Sequence, residues 1–204
     1  MNILNSRLYS MLEVLSFFFL LNILWVLMCL PIITIFPATA AMFGVIRQWV
    51  MKKDTAIFIS FFRLFKENFK QSFIVGIIFF VFASIFYIDF MLVNTFNPKL
   101  HTILFASLFL LGLIVTFTLV YIFPMIVHYR LTLWQVIKNS FFFSIRYALT
   151  TFLCVLIVAS MVSLLFLIPV FSLVIFSFTA YLIFNICYSR FRKEEVLAAG
   201  STEQ

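Results

Sequence analysis

Four stretches free of Asp, Glu, Lys and Arg decide what this chain can fold into: Val14–Ile46, Gln71–Ile88, Leu100–Tyr129 and Tyr147–Ser189. A lipid-embedded backbone must satisfy its own hydrogen bonds, and about 20 apolar residues of helix cross the roughly 30 Å hydrocarbon core of a bilayer. The last stretch is twice too long for one straight span, and Ile168-Pro169 near its middle breaks it, because proline has no N–H and restricts its predecessor. Five spans are therefore expected, at Val14–Phe36, Ser72–Val93, Ile103–Val127, Ala148–Leu167 and Val170–Tyr188. With 65% hydrophobic and 10% charged residues, the chain has too little polar surface for a soluble globule and too much apolar mass for disorder. Continuous apolar runs, with no alternation of about ten residues between turns, also exclude an outer-membrane barrel. The expected fold is all-α: a polytopic helical membrane protein of about five transmembrane helices plus a cytoplasmic amphipathic helix. It is read as one integral membrane domain over 1–192 and a short polar tail over 193–204.

Loop charges orient the spans. Arg47, Lys52, Lys53, Arg63, Lys66 and Lys70 lie between the first two, Lys99 alone in the next loop, Arg130, Lys138 and Arg146 in the third, and Arg190, Arg192 and Lys193 after the last. Basic loops stay in the cytoplasm. Five spans then place the C-terminus inside and the N-terminus, with Arg7, outside. Pro31 and Pro37 leave an alternative open: if Ala38–Met51 turns back as a re-entrant piece, the N-terminus is cytoplasmic. Ala38-Thr39-Ala40 resembles a signal-cleavage site, but the apolar run before it exceeds a signal sequence's 7–15 residues.

Within the first basic loop, Phe58, Phe61, Phe62, Phe65, Phe69 and Phe73 fall on one side of a helical wheel, with Arg63, Lys66 and Lys70 beside them. Such a helix suits the lipid headgroup layer, or a protein that docks there. Loop charge accounts for the net charge of +7, so no nucleic-acid partner is expected. A faint internal echo follows Pro37 and Pro124: each is succeeded by a short segment, a Phe-rich basic stretch and a span.

Catalytic signals are missing. The sequence has no HExxH, GxSxG, paired carboxylates or glycine-rich phosphate loop. His101 and His128 sit at opposite ends of one span and cannot share a metal. Cys29, Cys154 and Cys187 stand far apart in apolar runs. Asp89 is the one acid within an expected span, near its end. No enzyme, metal or cofactor is expected. What polar chemistry there is gathers in the first stretch: Asn22 in mid-span, and Thr34 and Thr39 bracketing Pro37. A proline-broken helix frees carbonyls that hydroxyls or water must satisfy, so Asn22, Thr34, Pro37 and Thr39 are read as a polar pocket or as helix-to-helix contacts.

The element Asn22-x-x-Trp25, followed by Pro31-x-x-Thr34-x-x-Pro37-Ala38-Thr39-Ala40-Ala41, resembles the YesL-like family of bacterial integral membrane proteins, as does Phe65-Lys66-Glu67-Asn68-Phe69-Lys70-Gln71. The family has no known function and no catalytic residues to carry over. Its members' association with carbohydrate-uptake genes implies an accessory role in sugar uptake, with a sugar-importer complex or another membrane protein as partner. The Glu-Ala-Ala loop by which an importer permease docks its ATPase is absent. A small secondary transporter or channel is the alternative. It would line one cavity with residues such as Asn22, Thr34, Thr39 and Thr116.

Overall fold

The computed structural model describes residues 3–51, 56–93 and 98–201, all helical or in short connections. Lys52 and Lys53 lie outside the described residues, as do the side chains of Arg7, Lys99 and His101. In chain order the helices are α1 (Ile3–Cys29), α2 (Ile35–Val50), α3 (Ile57–Val93), α4 (Pro98–His128), α5 (Leu133–Arg146), α6 (Ala148–Leu167) and α7 (Ile175–Ser201). Ile32–Thr34 and Pro169–Leu173 form 3-10 turns before α2 and α7.

The core is built around α2. Phe36, Pro37, Ala38 and then every residue from Ala40 to Ile46 are buried, so the helix is apolar all round and enclosed by neighbours. Its small residues let those neighbours approach: Leu64 of α3 packs over Gly44, and Phe36 packs over Gly76 of α3. Paired contacts give the directions. Trp49 stacks on Phe17 at 4.6 Å, while Trp25 reaches Thr39, so α1 and α2 are antiparallel. Leu64 against Gly44 and Gly76 against Phe36 make α3 antiparallel to α2. Phe43 stacks on Phe123 and Arg47 meets His128, so α4 runs parallel to α2. The ends of α2, α4 and α7 and the starts of α1, α3 and α6 thus share one end of the bundle, here called the basic end.

Five helices are long and apolar enough to cross a membrane, as expected, but not the same five. The expected first span, Val14–Phe36, divides into α1 and the separate stretch Ile32–Val50, because Pro31 ends the α1 ladder. The Ala38–Met51 return is therefore real, and the start of α1 lies on the same end as the end of α7, not opposite it. The expected last span, Val170–Tyr188, begins with a 3-10 turn, and the polar and charged residues of α7 dilute its hydropathy below that of the five.

Phe58–Phe73 is helical, as expected, and feeds directly into the span: nothing breaks the chain between them, and α3 runs 37 residues, about 55 Å. Its phenylalanine face is only partly turned inward: Phe61 is fully buried and Phe62 and Phe65 pack against the core, while Phe58, Phe69, Arg63, Lys66 and Lys70 stay exposed. The expected tail from 193 continues α7 as far as Ser201. Pro124 ends no span, for it lies inside α4; and α5, the counterpart of α2 in the supposed repeat, buries only Val136, Ser140 and Ser144.

Candidate functional site

At the break between α1 and α2, threonine hydroxyls take the place of the lost backbone donors. The Thr34 hydroxyl donates to the carbonyls of Met28 (2.5 Å) and Pro31 (2.6 Å), capping the last turn of α1. Pro37 sits in the first turn of α2, where its missing N–H costs nothing. Thr39 Oγ1 donates to the Ile35 carbonyl at 2.7 Å and accepts the Trp25 indole N–H at 3.1 Å, tying α1 to α2 across the break. Asn22, 1% exposed, donates from Nδ2 to the Ser172 carbonyl at 2.6 Å, and Ser177 donates to the Phe18 carbonyl at 2.8 Å. These two bonds fasten α1 to the turn before α7 and to α7 itself.

The four residues read as a polar pocket do not line one. Thr39 borders a cavity of about 210 Å³ with Trp25, Met42, Phe43, Thr179 and apolar side chains of α6 and α7; Asn22, Thr34 and Pro37 are not on its wall. Thr116 bonds the Gly112 carbonyl of its own helix and lines a different cavity. One N–H of Asn22 and the hydroxyls of Thr34 and Thr39 are spent on carbonyls, which makes the break a joint between helices, while Asn22 Oδ1 is buried without a protein partner.

Sequence reading missed a second cluster, at the basic end. His128 Nε2 lies 3.2 Å from Glu195 Oε1, which also accepts the Tyr129 hydroxyl at 3.0 Å; Arg47 Nε donates to His128 Nδ1 at 3.5 Å. Alongside, Arg146 Nη1 pairs with Glu194 Oε2 at 3.0 Å, Tyr147 donates to Glu194, and the guanidinium of Arg190 lies 5.5 Å from the Tyr147 ring centre. The bond to Glu194 holds the Tyr147 hydroxyl above its ordinary pKa, and burial followed by the Glu195 contact does the same for Tyr129. This network staples the end of α7 to α2, α4, α5 and α6. Its one sequence signal was the adjacent pair Glu194-Glu195 amid basic residues, which reads equally as a solvated tail. Among the described residues no three His, Cys, Asp or Glu converge on a metal position, and Cys154 and Cys187 are free thiols buried in the bundle.

The remaining concave surface follows the α3–α4 seam. The turn before α2 and Phe36 meet α3 near Phe79 and Phe80, yet α3 continues to Val93. The outer α3–α4 hairpin therefore extends about 20 Å past the tip of the α1–α2 hairpin, with Phe80, Phe82, Ile85, Tyr87, Phe109 and Leu110 exposed. Phe79, Phe82, Ala83, Phe86, Gly112 and Thr116 line an outer cavity of about 390 Å³ there. Toward the basic end, a second groove of about 380 Å³ runs between Val75, Ile78 and Phe79 of α3 and Ile114, Thr118 and Ile122 of α4, and is closed by Trp134, Lys138 and Phe141 of α5.

Residues 18–90, which hold the second half of α1 from Phe18, all of α2 and nearly all of α3, match the family described as "Protein of unknown function, DUF624". The matched region thus holds α2 and its α3 neighbour, while α4 and α7, which also pack on α2, lie outside it. Three Bacillus subtilis (strain 168) proteins are similar as well. Uncharacterized protein YesL is 34% identical over 126 residues, 60% of this chain and 59% of the relative. Uncharacterized protein YteU is 32% identical over 130 residues, 62% and 58% of the two chains, and Uncharacterized protein YesV 33% identical over 135 residues, 64% and 65%. Together these matches support a YesL-like family of unknown function. The chain spans about three fifths of the length of these YesL-like relatives. No solved structure matches.

Proposed function

We propose that this YesL-like chain is a non-enzymatic membrane protein that assists a carbohydrate-uptake system by holding a transmembrane helix of that system against its α3–α4 arm. The observation that carries the reading is the outer furrow, where the exposed Ala83 and Thr116 leave room between the aromatic side chains for a third helix to approach, while Phe86 covers Gly112. Small residues at such a surface favour helix association in lipid, where apolar burial alone gives no driving force. The accessory role follows from the family resemblance. Orientation follows from charge: Arg47, Arg63, Lys66, Lys70, Arg130, Lys138, Arg146 and Arg190 all gather at one end, which the positive-inside rule assigns to the cytoplasm of a bacterial cell membrane. The transporter reading gains no support, because Asn22, Thr34, Thr39 and Thr116 face no common cavity.

A photo-crosslinking residue at Ala83 in living cells tests the proposal, with Phe152 on α6 as the comparison. Capture of the membrane-spanning subunit of an ATP-driven sugar importer from position 83 and not from 152 supports it. Equal capture from both, or no importer subunit from position 83, contradicts it.

A further inference from the structure

We infer that the inner groove, between α3, α4 and α5, is a binding site for one anionic phospholipid of the leaflet at the basic end. Its walls are apolar along two helices: Val75, Ile78 and Phe79 repeat at helical spacing on α3, and Ile114, Thr118 and Ile122 on α4. The one hydroxyl on these walls, that of Thr118, is spent on the Ile114 carbonyl at 2.8 Å. Such a trough, open to the side and offering no free polar group along its length, fits a hydrocarbon chain and not a sugar or a peptide backbone.

The mouth has the opposite chemistry. There α5 crosses the groove and contributes Trp134, 73% exposed, and the exposed Lys138, which has no ion-pair partner among the described residues. The capping box of Thr132 and Gln135 fixes the start of α5, and Val136, Ser140 and Ser144 anchor its inner face, so Trp134 and Lys138 are held at this edge. Tryptophan prefers the headgroup layer, with its ring among the chains and its N–H toward the phosphates. A lysine at that depth places a cation one headgroup away from the top of the groove. The occupant is identified by charge complementarity: an acyl chain below a phosphate-bearing headgroup of net negative charge, facing a lone ammonium. The outer furrow assigned above to a partner helix has no cation on its wall; it lies farther along the seam and shares Phe79, Phe82 and Val115 with the inner groove, so the two sites adjoin.

The test is lipid retention by the full chain, purified in mild detergent from vesicles of equal phosphatidylglycerol and phosphatidylcholine and read by native mass spectrometry. The wild type is expected to retain phosphatidylglycerol about fivefold over phosphatidylcholine, the worth of one basic residue beside an anionic surface. K138A should bring that ratio to about one, K138R should restore it, and K66A, which changes a lysine outside the groove, should leave it as in the wild type. I78W, on the wall of the inner groove alone, should lower retention of both lipids. Excess inorganic phosphate should not displace the lipid, because the chain and not the phosphate alone is held. Equal retention of both lipids by the wild type, an unchanged ratio in K138A, or an equal loss in K66A would each overturn the site. Helix content by circular dichroism accompanies each variant. A misfolded K138A passes the test to K138R, whose ratio must then match that of the wild type.

Discussion

The same substitution, glycine to alanine, should have opposite signs at the two glycines where α2 and α3 meet. A Cβ on Gly44 would stand 3.0 Å from Leu64 Cδ1, the far end of a flexible, half-exposed side chain that can rotate away. A Cβ on Gly76 would stand 3.1 Å from both Cγ and Cδ2 of Phe36 and 3.3 Å from its Cβ. That ring cannot retreat, because Phe79 at 5.4 Å, Phe123 at 5.8 Å and Phe80 at 6.2 Å hem it in, and it belongs to the first turn of α2 beside the helix break. Alanine in a helix interior gains about 0.5–1 kcal/mol over glycine. Overpacking a closed site costs about 1–3 kcal/mol. Gly44→Ala should therefore be neutral or stabilising by up to about 1 kcal/mol, and Gly76→Ala destabilising by about 0.5–2 kcal/mol. For a chain of this length, 1 kcal/mol moves the melting temperature by about 2–4 °C. The assay is thermal unfolding in mild detergent, followed by a thiol-reactive dye that reaches the buried Cys154 and Cys187 only on unfolding. Gly76→Ala should melt about 1–8 °C below the wild type and Gly44→Ala at or above it. Equal shifts at the two positions, or Gly44→Ala melting lower than Gly76→Ala, would refute the packing argument.

Thr39→Val removes the acceptor of the Trp25 indole N–H and should destabilise by about 1–3 kcal/mol, read as a lower melting temperature and as an altered Trp25 emission. Thr34→Val, which leaves the end of α1 uncapped, should speed amide exchange in the last turn of α1 more than anywhere else; uniform exchange would contradict the capping role. Glu195→Ala removes the acceptor shared by His128 and Tyr129 and should raise exchange along the last turns of α7 while leaving α3 unchanged. Because Tyr129 and Tyr147 have pKa values raised in the folded state, the stability they confer is complete below about pH 10, the unfolded tyrosine value, and is lost as the pH climbs above it. The double variant Tyr129→Phe, Tyr147→Phe should flatten the decline of melting temperature above pH 10.

Much of the fold was legible because lipid imposes a simple rule: uncharged length is helix. Ala148–Leu167 was bounded residue for residue, since Tyr147 and Ile168-Pro169 mark its ends. The break near Pro31 and the demand for hydroxyl partners at Thr34 and Thr39 were equally visible, as both follow from a missing proline N–H. Harder to read was α2. At 16 residues it is shorter than a standard span, and its apolar face covers the whole circumference, so periodicity gives no hint of direction. The phenylalanine face of residues 58–73 was apparent, but not which apolar surface it meets; α2 and lipid look alike to a helical wheel. Glu194 and Glu195 acquire their partners from helices 47 to 67 positions earlier in the chain, and no local pattern encodes that.

The central feature of the fold is a separate α2 that returns the chain to the basic end. Topology reporters fused ahead of α1, at Lys99 and after α7 measure this most directly. The first and last should report the same side of the membrane, the cytoplasm, and Lys99 should report the exterior. An N-terminal reporter on the side opposite the C-terminal one would contradict it, because α1 and α2 would then cross as one continuous span.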